Sequence, residues 1–486
     1  MPRLAPDPYS RTHGVRPSEK PPFAHTGTHP VRPSPLGPYP RGSAIARGVD
    51  RPLEARYPGP QPFDFFSQKC SLISPQEEEF HLSEMTGLFV ASNADAGEGK
   101  DMQYDLTDEQ KMLRDMVRRL AKEKIEPGAR ERDEKGEWDW NVVNLLRENG
   151  LMGVDFPEKY GGGGAGLLAF CIVVEELSRV EAATGLVPAD QELGALPIML
   201  AANEEQKAKY LPKLSTGEHL AAFALTESIG GSDVAGLKTK AVRKGDEYII
   251  NGVKTFITNG GVADVITVYA LTDPSKGGHR GASVFIVEKG FPGFKVGKKE
   301  DKMGIRWSDT SELIFEDCRV PAENLLGEEG MGFHIMMKTL DFSRPGVAAQ
   351  ALGIAQGALD YAVAYAKERV AFGQPIIKFQ GIAFKLADMA IAVEASRHLL
   401  YKTAALLQEQ PKDMSKLPPE LIRMSSMSKV MCGDTAMHVT VEAVQVLGGY
   451  GYIKEYPVER YMRDAKITQI YEGTQEIQRL VIANTL

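Results

Sequence analysis

The residues best suited to chemistry stand near the end of the chain. In "IYEGTQEIQRL", residues 470–480, one carboxylate, Glu472, is set between an isoleucine–tyrosine pair and Gly473, just ahead of an apolar run. A carboxylate that loses water in apolar surroundings binds its proton more tightly and becomes a usable base near neutral pH. Taken alone, an acid in a terminal loop is a solvated surface group, so the position has to be judged by its context. Thr474 is placed to cap the helical pattern that follows.

Three other stretches could hold a phosphate or a cofactor edge. "AFALTESIGGSDVAGLKT", residues 222–239, offers backbone N–H groups at Gly230 and Gly231 and the hydroxyl of Ser232. "KERVAFGQPIIKFQ", residues 367–380, carries Arg369 and Gln380, able to pair with or hydrogen-bond a phosphate. It reads equally as a helix with a cationic end and a glycine stop. "QVLGGYGYIKEYPVERYMRDAKI" adds Gly448 and Gly449, which permit close backbone approach or a turn. "GGGGAG" at 161–166 reads as a flexible loop. The glycine patterns do not follow a strand and open a helix as a dinucleotide fingerprint must. The four cysteines form no CxxC pair and the nine histidines no HExxH, which speaks against a zinc site or a disulfide framework and suits a reducing compartment.

The elements that must position these residues fall into blocks. A chain of 486 residues predicts two to three domains. Its net charge of −8 argues against nucleic acid as a main partner, and no apolar run is long enough for a membrane span. Residues 1–62 hold half of the 30 prolines with many arginines and few acids. Residues 1–101 are therefore expected to be a disordered or non-native extension, the working protein starting near Met85 or Met102. The protein is expected in the cytoplasm, or in the mitochondrial matrix if the extension is a targeting peptide.

Residues 102–222 predict a helical domain. Thr107 and Gln110 form a capping box, and Met112, Leu113, Met116, Val117 and Leu120 recur at helical spacing up to Pro127. "WNVVNLLRENG", "AFCIVVEELSRVEAATG" and "EEQKAKYLPKLSTG" continue the pattern. Residues 223–333 turn to short β-branched and aromatic runs, with Asn251-Gly252 as a hairpin cue. From 334 to 486 helices return, with Leu352, Ala355, Leu359, Val363, Ala366 and Val370 on one face.

In order, TES-x-GGSD, TFITNG, "KMGIRWSDTSELIFEDCRVP", "LDFSR", "ERVAFGQPIIKFQ", "QVLGGYGY" and "RDAKITQIYEGTQEIQR" resemble the FAD-dependent acyl-CoA dehydrogenase family across residues 102–486. The resemblance implies an α+β fold: an N-terminal helical domain, a central β-barrel-like domain and a C-terminal four-helix bundle. It further implies a homotetramer with FAD held between the β domain, the bundle and a neighbouring subunit. By the same resemblance Phe223, Leu225, Thr226, Gly231 and Ser232 run along the flavin, Ser232 also touching CoA, and Phe256, Ile257 and Thr258 pack on the ring. Relatives often carry tryptophan where Phe256 stands, and proline at the place of Ser228. Asp341, Phe342, Ser343 and Arg344 would contact CoA. Arg369, Gln380 and the loop from Gln445 through Gly448 and Gly449 would bind the partner's FAD, and Thr474, Gln475 and Glu476 would complete the flavin site.

The resemblance makes Glu472 the catalytic base, dehydrated by Ile470 and Tyr471, with Gly473 leaving room for the thioester. The reaction implied is α,β-dehydrogenation of a short, branched or cyclic acyl-CoA, with a hydride passing to the flavin and electrons onward to an electron-transfer flavoprotein. Some relatives carry the base at the position of Ser343, which cannot serve. Asp190 and Glu192 lie where relatives line the acyl pocket with uncharged residues; they are read as solvent-facing or helix-capping. The sharper reading makes Asp190 a second base for 1,4-dehydrogenation of cyclohex-1-ene-1-carbonyl-CoA. The same motifs are compatible with an acyl-CoA oxidase, whereas a non-catalytic flavin- or CoA-binding relative is disfavoured by the presence of Glu472.

Overall fold

A computed structural model describes residues 106–486, so the expectations for residues 1–101 lie outside the described residues. The capping box forms: the Thr107 hydroxyl accepts from the Gln110 N–H, the Gln110 side chain accepts from the Thr107 N–H, and helix α1 (Asp108–Leu120) begins there. Leu113 and Val117 face inward, while Met112 is 48% exposed, so the buried stripe is narrower than the apolar pattern. Short helices α2 (Ala129–Lys135) and α3 (Trp140–Glu148) follow, then the interior pair α4 (Gly166–Ser178) and α5 (Ala182–Ala201), then α6 (Glu204–Ser215). Helix α5 carries Pro188 and Pro197 internally and is buried along nearly all its length. Two prolines and no polar face hide it from periodicity. Residues 161–166 form a hydrogen-bonded turn and not a free loop: the N–H groups of Gly163, Gly164 and Ala165 donate to the carbonyls of Gly153, Phe156 and Val154.

The middle domain has strands β1 (Ala221–Ala224), β2 (Lys240–Lys244), β3 (Glu247–Thr258) and β4 (Val265–Leu271). A short helix α7 (Gly277–Gly281) leads to β5 (Ala282–Glu288), β6 (Phe294–Lys299), β7 (Thr310–Pro321) and β8 (Leu325–Leu326). The order is β6-β7-β3-β2-β4-β5-β8, with β1 parallel on β4. Strands β3 and β5 are not neighbours in that order, yet the rings of Tyr248 and Phe285 lie 4.8 Å apart, so the sheet curls around a shared interior. The Asn251-Gly252 hairpin is not formed. Both residues lie inside β3 at a register shift, and the β2–β3 turn is Gly245-Asp246. Gly252 is required by packing, because a Cβ there would sit 2.3 Å from the Thr239 hydroxyl.

The C-terminal part packs α8 (Gly332–Glu368), α9 (Gln380–Gln408) and α10 (Pro419–Leu447) against one another, with α11 (Val458–Ala465) and α12 (Gln475–Asn484) closing on α10. A two-residue ladder joins β9 (Val370–Ala371) and β10 (Gln374–Pro375) between α8 and α9. Val370 therefore leaves the helical face predicted for it and is 57% exposed. The core residues of α4, α5, α8 and α10 form one continuous apolar cluster, which fixes the helical domain and the bundle as a rigid frame.

Candidate active site

The loop between α11 and α12 brings Glu472 into this frame. A 3-10 turn at Lys466–Gln469 is followed by a left-handed residue, Glu472, at φ +51°, and by Gly473 at φ +94°. A non-glycine residue in that region costs about 1–3 kcal/mol and persists where its surroundings hold it. Here Gln478 Nε2 donates to the carbonyls of Glu472 (2.9 Å) and Gly473 (3.1 Å). Lys429 Nζ, from α10, donates to the Gly473 carbonyl at 2.8 Å. The Thr474 hydroxyl caps α12, accepting from the Ile477 N–H at 3.3 Å. Gly473 has a structural reason beyond ligand room: a Cβ would lie 2.4 Å from Gln478 Nε2.

The side chain of Glu472 faces polar and charged groups of α8 and α10, and its charge is felt by Asp190 of α5. Ser343 Oγ of α8 donates to its Oε2. Burial raises its pKa; the Ser343 hydrogen bond, the Arg344 guanidinium and the Lys429 ammonium pull it back down. The residue keeps partial exposure, as a group open to a substrate must, although protein crowds it closely. Ile470 is 48% exposed and does not dehydrate the acid as expected. Tyr471 does pack inward, its hydroxyl donating to Gln350 Oε1 on α8. Among the described residues no backbone carbonyl accepts the Glu472 N–H, which leaves that donor for a ligand.

Asp341, Phe342, Ser343 and Arg344 all lie in the bundle interior. Arg344 donates to Asp341 Oδ1 (2.8 Å) and to Ser426 Oγ (3.3 Å), and burial pushes Asp341 up to about 6. Phe342 is fully enclosed beneath the Lys338 ammonium, so the CoA contact expected of its ring is not open to it. Asp190 and Glu192 neither face solvent nor cap a helix. Both lie within α5, 4% and 2% exposed. Glu192 sits 3.6 Å from Lys412, which also binds Asp155. Asp190 Oδ2 has no hydrogen-bond partner, and burial followed by the Glu472 charge drives its pKa well up.

The residues expected to hold the cofactor fall into two groups. Around the start of the β domain, Phe223, Leu225 and Thr226 are half-buried and Gly231 and Ser232 exposed. Beneath them Glu227 accepts from Lys254 Nζ (2.8 Å) and from the N–H groups of Lys238 and Thr239, pinning the loop. Phe256 is 63% exposed at φ +58°, while Ile257 is buried and Thr258 half-buried. A large aromatic held outward in a strained conformation marks a ligand face. In the bundle, Arg369, Gly448 and Gly449 line a cavity of about 460 Å³ with Tyr365, Ile376 and Tyr450. The Arg369 guanidinium stacks 5.3 Å from the Tyr450 ring centre, and a Cβ on Gly448 or Gly449 would meet nothing within 4 Å. Gln380, Gln445 and Glu476 are exposed. This cavity does not include Glu472.

An open glycine cradle beside a stacked arginine, and a strained aromatic platform elsewhere, fit a cofactor with a diphosphate and a flat ring. FAD has both. Lys429, Gln478, Lys412 and the Glu227–Lys254 pair were not singled out from sequence. Lys429 left a signal, being a lone cation in the otherwise uncharged run "MSSMSKVMCG". Among the described residues there is no His/Cys/Asp/Glu group that could hold a metal, and no helix long and apolar enough to cross a membrane.

Comparison with known proteins identifies the fold. Models of the acyl-CoA dehydrogenase N-terminal, middle and C-terminal domains match residues 107–218, 222–318 and 330–486. The chain is 51% identical over 383 residues to a cyclohex-1-ene-1-carbonyl-CoA dehydrogenase of Geobacter metallireducens, covering 78% of this chain and 98% of that protein. The solved butyryl-CoA dehydrogenase of Megasphaera elsdenii aligns with a TM-score of 0.76 at 49% identity, covering 79% and 99% of the two chains. A Bacillus anthracis acyl-CoA dehydrogenase complexed with FAD aligns at 0.71 and 38% identity, over 78% and 67%. The chain belongs to the acyl-CoA dehydrogenase family of FAD-dependent oxidoreductases.

Proposed function

We propose that this enzyme removes two hydrogens from the α and β carbons of a short or cyclic acyl-CoA, with Glu472 as the base. The observation that carries the reading is the Glu472 carboxyl, held in a left-handed loop, raised in pKa by burial and hydrogen-bonded by Ser343. FAD, when bound, supplies the hydride acceptor. Phe223 to Ser232 and Phe256 to Thr258 would hold its ring side, and Arg369, Gln380 and Gln445 to Gly449 the far end of a partner copy's FAD. Glu472 accepts the α-proton, and its own N–H donates to the thioester carbonyl, where enolate charge develops. The Asp341–Arg344 segment braces α8 so that Ser343 meets the carboxyl. Phe372, in the turn between β9 and β10, and Phe384 and Ile391 on α9 are 97%, 63% and 67% exposed, which supports burial against other copies in a homotetramer. An electron-transfer flavoprotein is the proposed electron acceptor.

A second reading is favoured by Asp190. Its buried, unpartnered oxygen feels the charge of Glu472, and two such carboxyls disfavour ionising together. As proton acceptor Asp190 must be the ionised member of the pair, with Glu472 carrying the proton, and it then takes a proton from a ring carbon remote from the thioester. That supports 1,4-dehydrogenation of cyclohex-1-ene-1-carbonyl-CoA to a conjugated diene, with Asp190 as proton acceptor. The relative of that name from Geobacter metallireducens adds support. The test is anaerobic mixing with butyryl-, 2-methylbutyryl-, cyclohexanecarbonyl-, cyclohexenecarbonyl- and glutaryl-CoA while flavin absorbance is followed. Bleaching by none overturns the enzyme reading. Bleaching by cyclohexenecarbonyl-CoA that is lost in Asp190→Asn establishes the second reading, and bleaching by butyryl-CoA alone removes it. Rapid reoxidation in air would identify an oxidase.

A further inference from the structure

Lys429 lies in the middle of α10, fully buried, behind the loop that carries Glu472. Its ammonium donates to the Gly473 carbonyl at 2.8 Å and to Gln475 Oε1 at 3.2 Å. Gln475 is fixed in turn by donating to the Val430 carbonyl and to Asp434 Oδ1, both at 2.9 Å. Gly433, one turn on, packs against Gln475 and the Thr468 carbonyl with no room to spare. The loop is therefore seated on α10 through one charged group and one amide. Burying a lysine costs several kcal/mol unless its charge is answered. A neutral glutamine or methionine would fill the same volume at less cost.

What answers the charge is the catalytic loop. The charged groups facing Lys429 are Glu472, Arg344, Asp434 and Glu476, and burial holds its own pKa near 8, so it is cationic at neutral pH. Glu472 faces Ser343 and Arg344 of α8, Lys429 of α10, and Asp190 and Glu192 of α5. Arg344 is already paired with Asp341, which leaves Lys429 as the cation whose nearest hydrogen bonds go to the Glu472 loop.

We propose that Lys429 is a positioning residue for the dehydrogenation: from inside the bundle it grips the Gly473 carbonyl, holding Glu472 in its left-handed conformation, and it keeps a positive charge behind the Glu472 carboxylate. The inference rests on Glu472 being the base. Two consequences are separable. The grip sets where the carboxylate and the Glu472 N–H point, and loss of such alignment lowers turnover. The charge sets how readily Glu472 ionises, and its loss shifts that ionisation to higher pH.

Lys429→Met removes donor and charge; Lys429→Gln keeps a donor and removes only the charge. The experiment follows the Glu472 carboxyl stretch by infrared titration of the FAD-loaded protein, with Glu472→Gln identifying the band, beside the pH profile of kcat/KM. Both Lys429 variants are expected to raise the Glu472 midpoint by about one pH unit, a tenfold change in proton affinity. Lys429→Met is expected to lower plateau kcat roughly tenfold as well, with Lys429→Gln nearer to wild type. FAD content and thermal unfolding report folding, and if the methionine variant fails to fold the glutamine variant decides. An unmoved infrared midpoint in the folded variants overturns the proposal. If Glu472→Gln keeps full turnover, the base assignment itself has failed, which this design reads separately.

Discussion

The Ser343 hydroxyl offers the sharpest handle on the proposed base. It is buried on α8 and donates to Glu472 Oε2. Burial raises the Glu472 pKa, and the Ser343 hydrogen bond is the largest of the effects opposing that rise, ahead of Arg344 and Lys429. A hydrogen bond to a charged acceptor is worth about 1.5–3 kcal/mol, equivalent to about 1–2 pH units. The protonated acid can still use the hydroxyl oxygen as an acceptor, so the lower figure is the better expectation. In Ser343→Ala the acid limb of the kcat/KM profile should therefore move up by about one unit.

The sign follows from the base role. Glu472 works ionised, so the rate climbs as pH rises through its pKa, and a higher pKa delays the climb. About one unit below the wild-type midpoint the alanine variant should turn over roughly tenfold more slowly. On the alkaline plateau it should match wild type within about twofold, because a base of higher pKa is also intrinsically stronger. Ser343→Thr, which keeps the donor, should restore the wild-type limb. A limb that stays in place, or moves down, would refute the reasoning.

Four further outcomes are expected. Glu472→Gln should lose about 10²–10⁴-fold in kcat with FAD retained; turnover near wild type would remove the base. Gly473→Ala, forced to φ +94° with its Cβ 2.4 Å from Gln478 Nε2, should lose at least about 1 kcal/mol in urea unfolding, and a neutral result would show that the Gln478 contact is dispensable. Phe256→Ala, which removes an aromatic 63% exposed, should weaken FAD retention about tenfold without changing thermal stability of the apoprotein. Between pH 8 and 10 the buried Lys254, Lys302 and Lys429, lowered to about 8, each add a positive slope to stability because the unfolded chain binds those protons more tightly, opposed by Cys171, Cys318 and Cys432, whose thiols burial pushes up. Lys302→Met should take up to about 1.4 kcal/mol per pH unit off that slope, and an unchanged slope would count against the buried cation.

Local signals in the chain translated well where a single side chain decides the structure. Thr107 with Gln110 and Thr474 with Ile477 are caps whose partners lie three residues away, so spacing alone specifies them. The failures share a different cause. Asn251-Gly252 has the residues of a tight turn, but Gly252 is glycine because Thr239 presses on it, a contact that no local rule contains. Helix α5 is concealed by two prolines and by burial on every side. Asp190 and Glu192 read as surface acids because burying a carboxylate is costly, and only the packed structure shows that they are buried all the same.

That cost connects the fold to the chemistry. A globular protein gains nothing in stability from gathering Asp190, Glu192, Glu472, Lys429 and Arg344 within its frame, since apolar residues of the same volume would fold at least as well. Nor does it gain from holding Glu472 in a left-handed conformation. The frame that tolerates both is the apolar cluster shared by α4, α5, α8 and α10, and the acid loop is fastened to it at Ser343, Lys429 and Gln350. Each fastening is a side chain from a helix of the rigid core reaching one residue of the loop. The strain and the buried charge therefore sit together at the place where two core helices, α8 and α10, can restrain them, and that coincidence is what a base tuned by its surroundings requires.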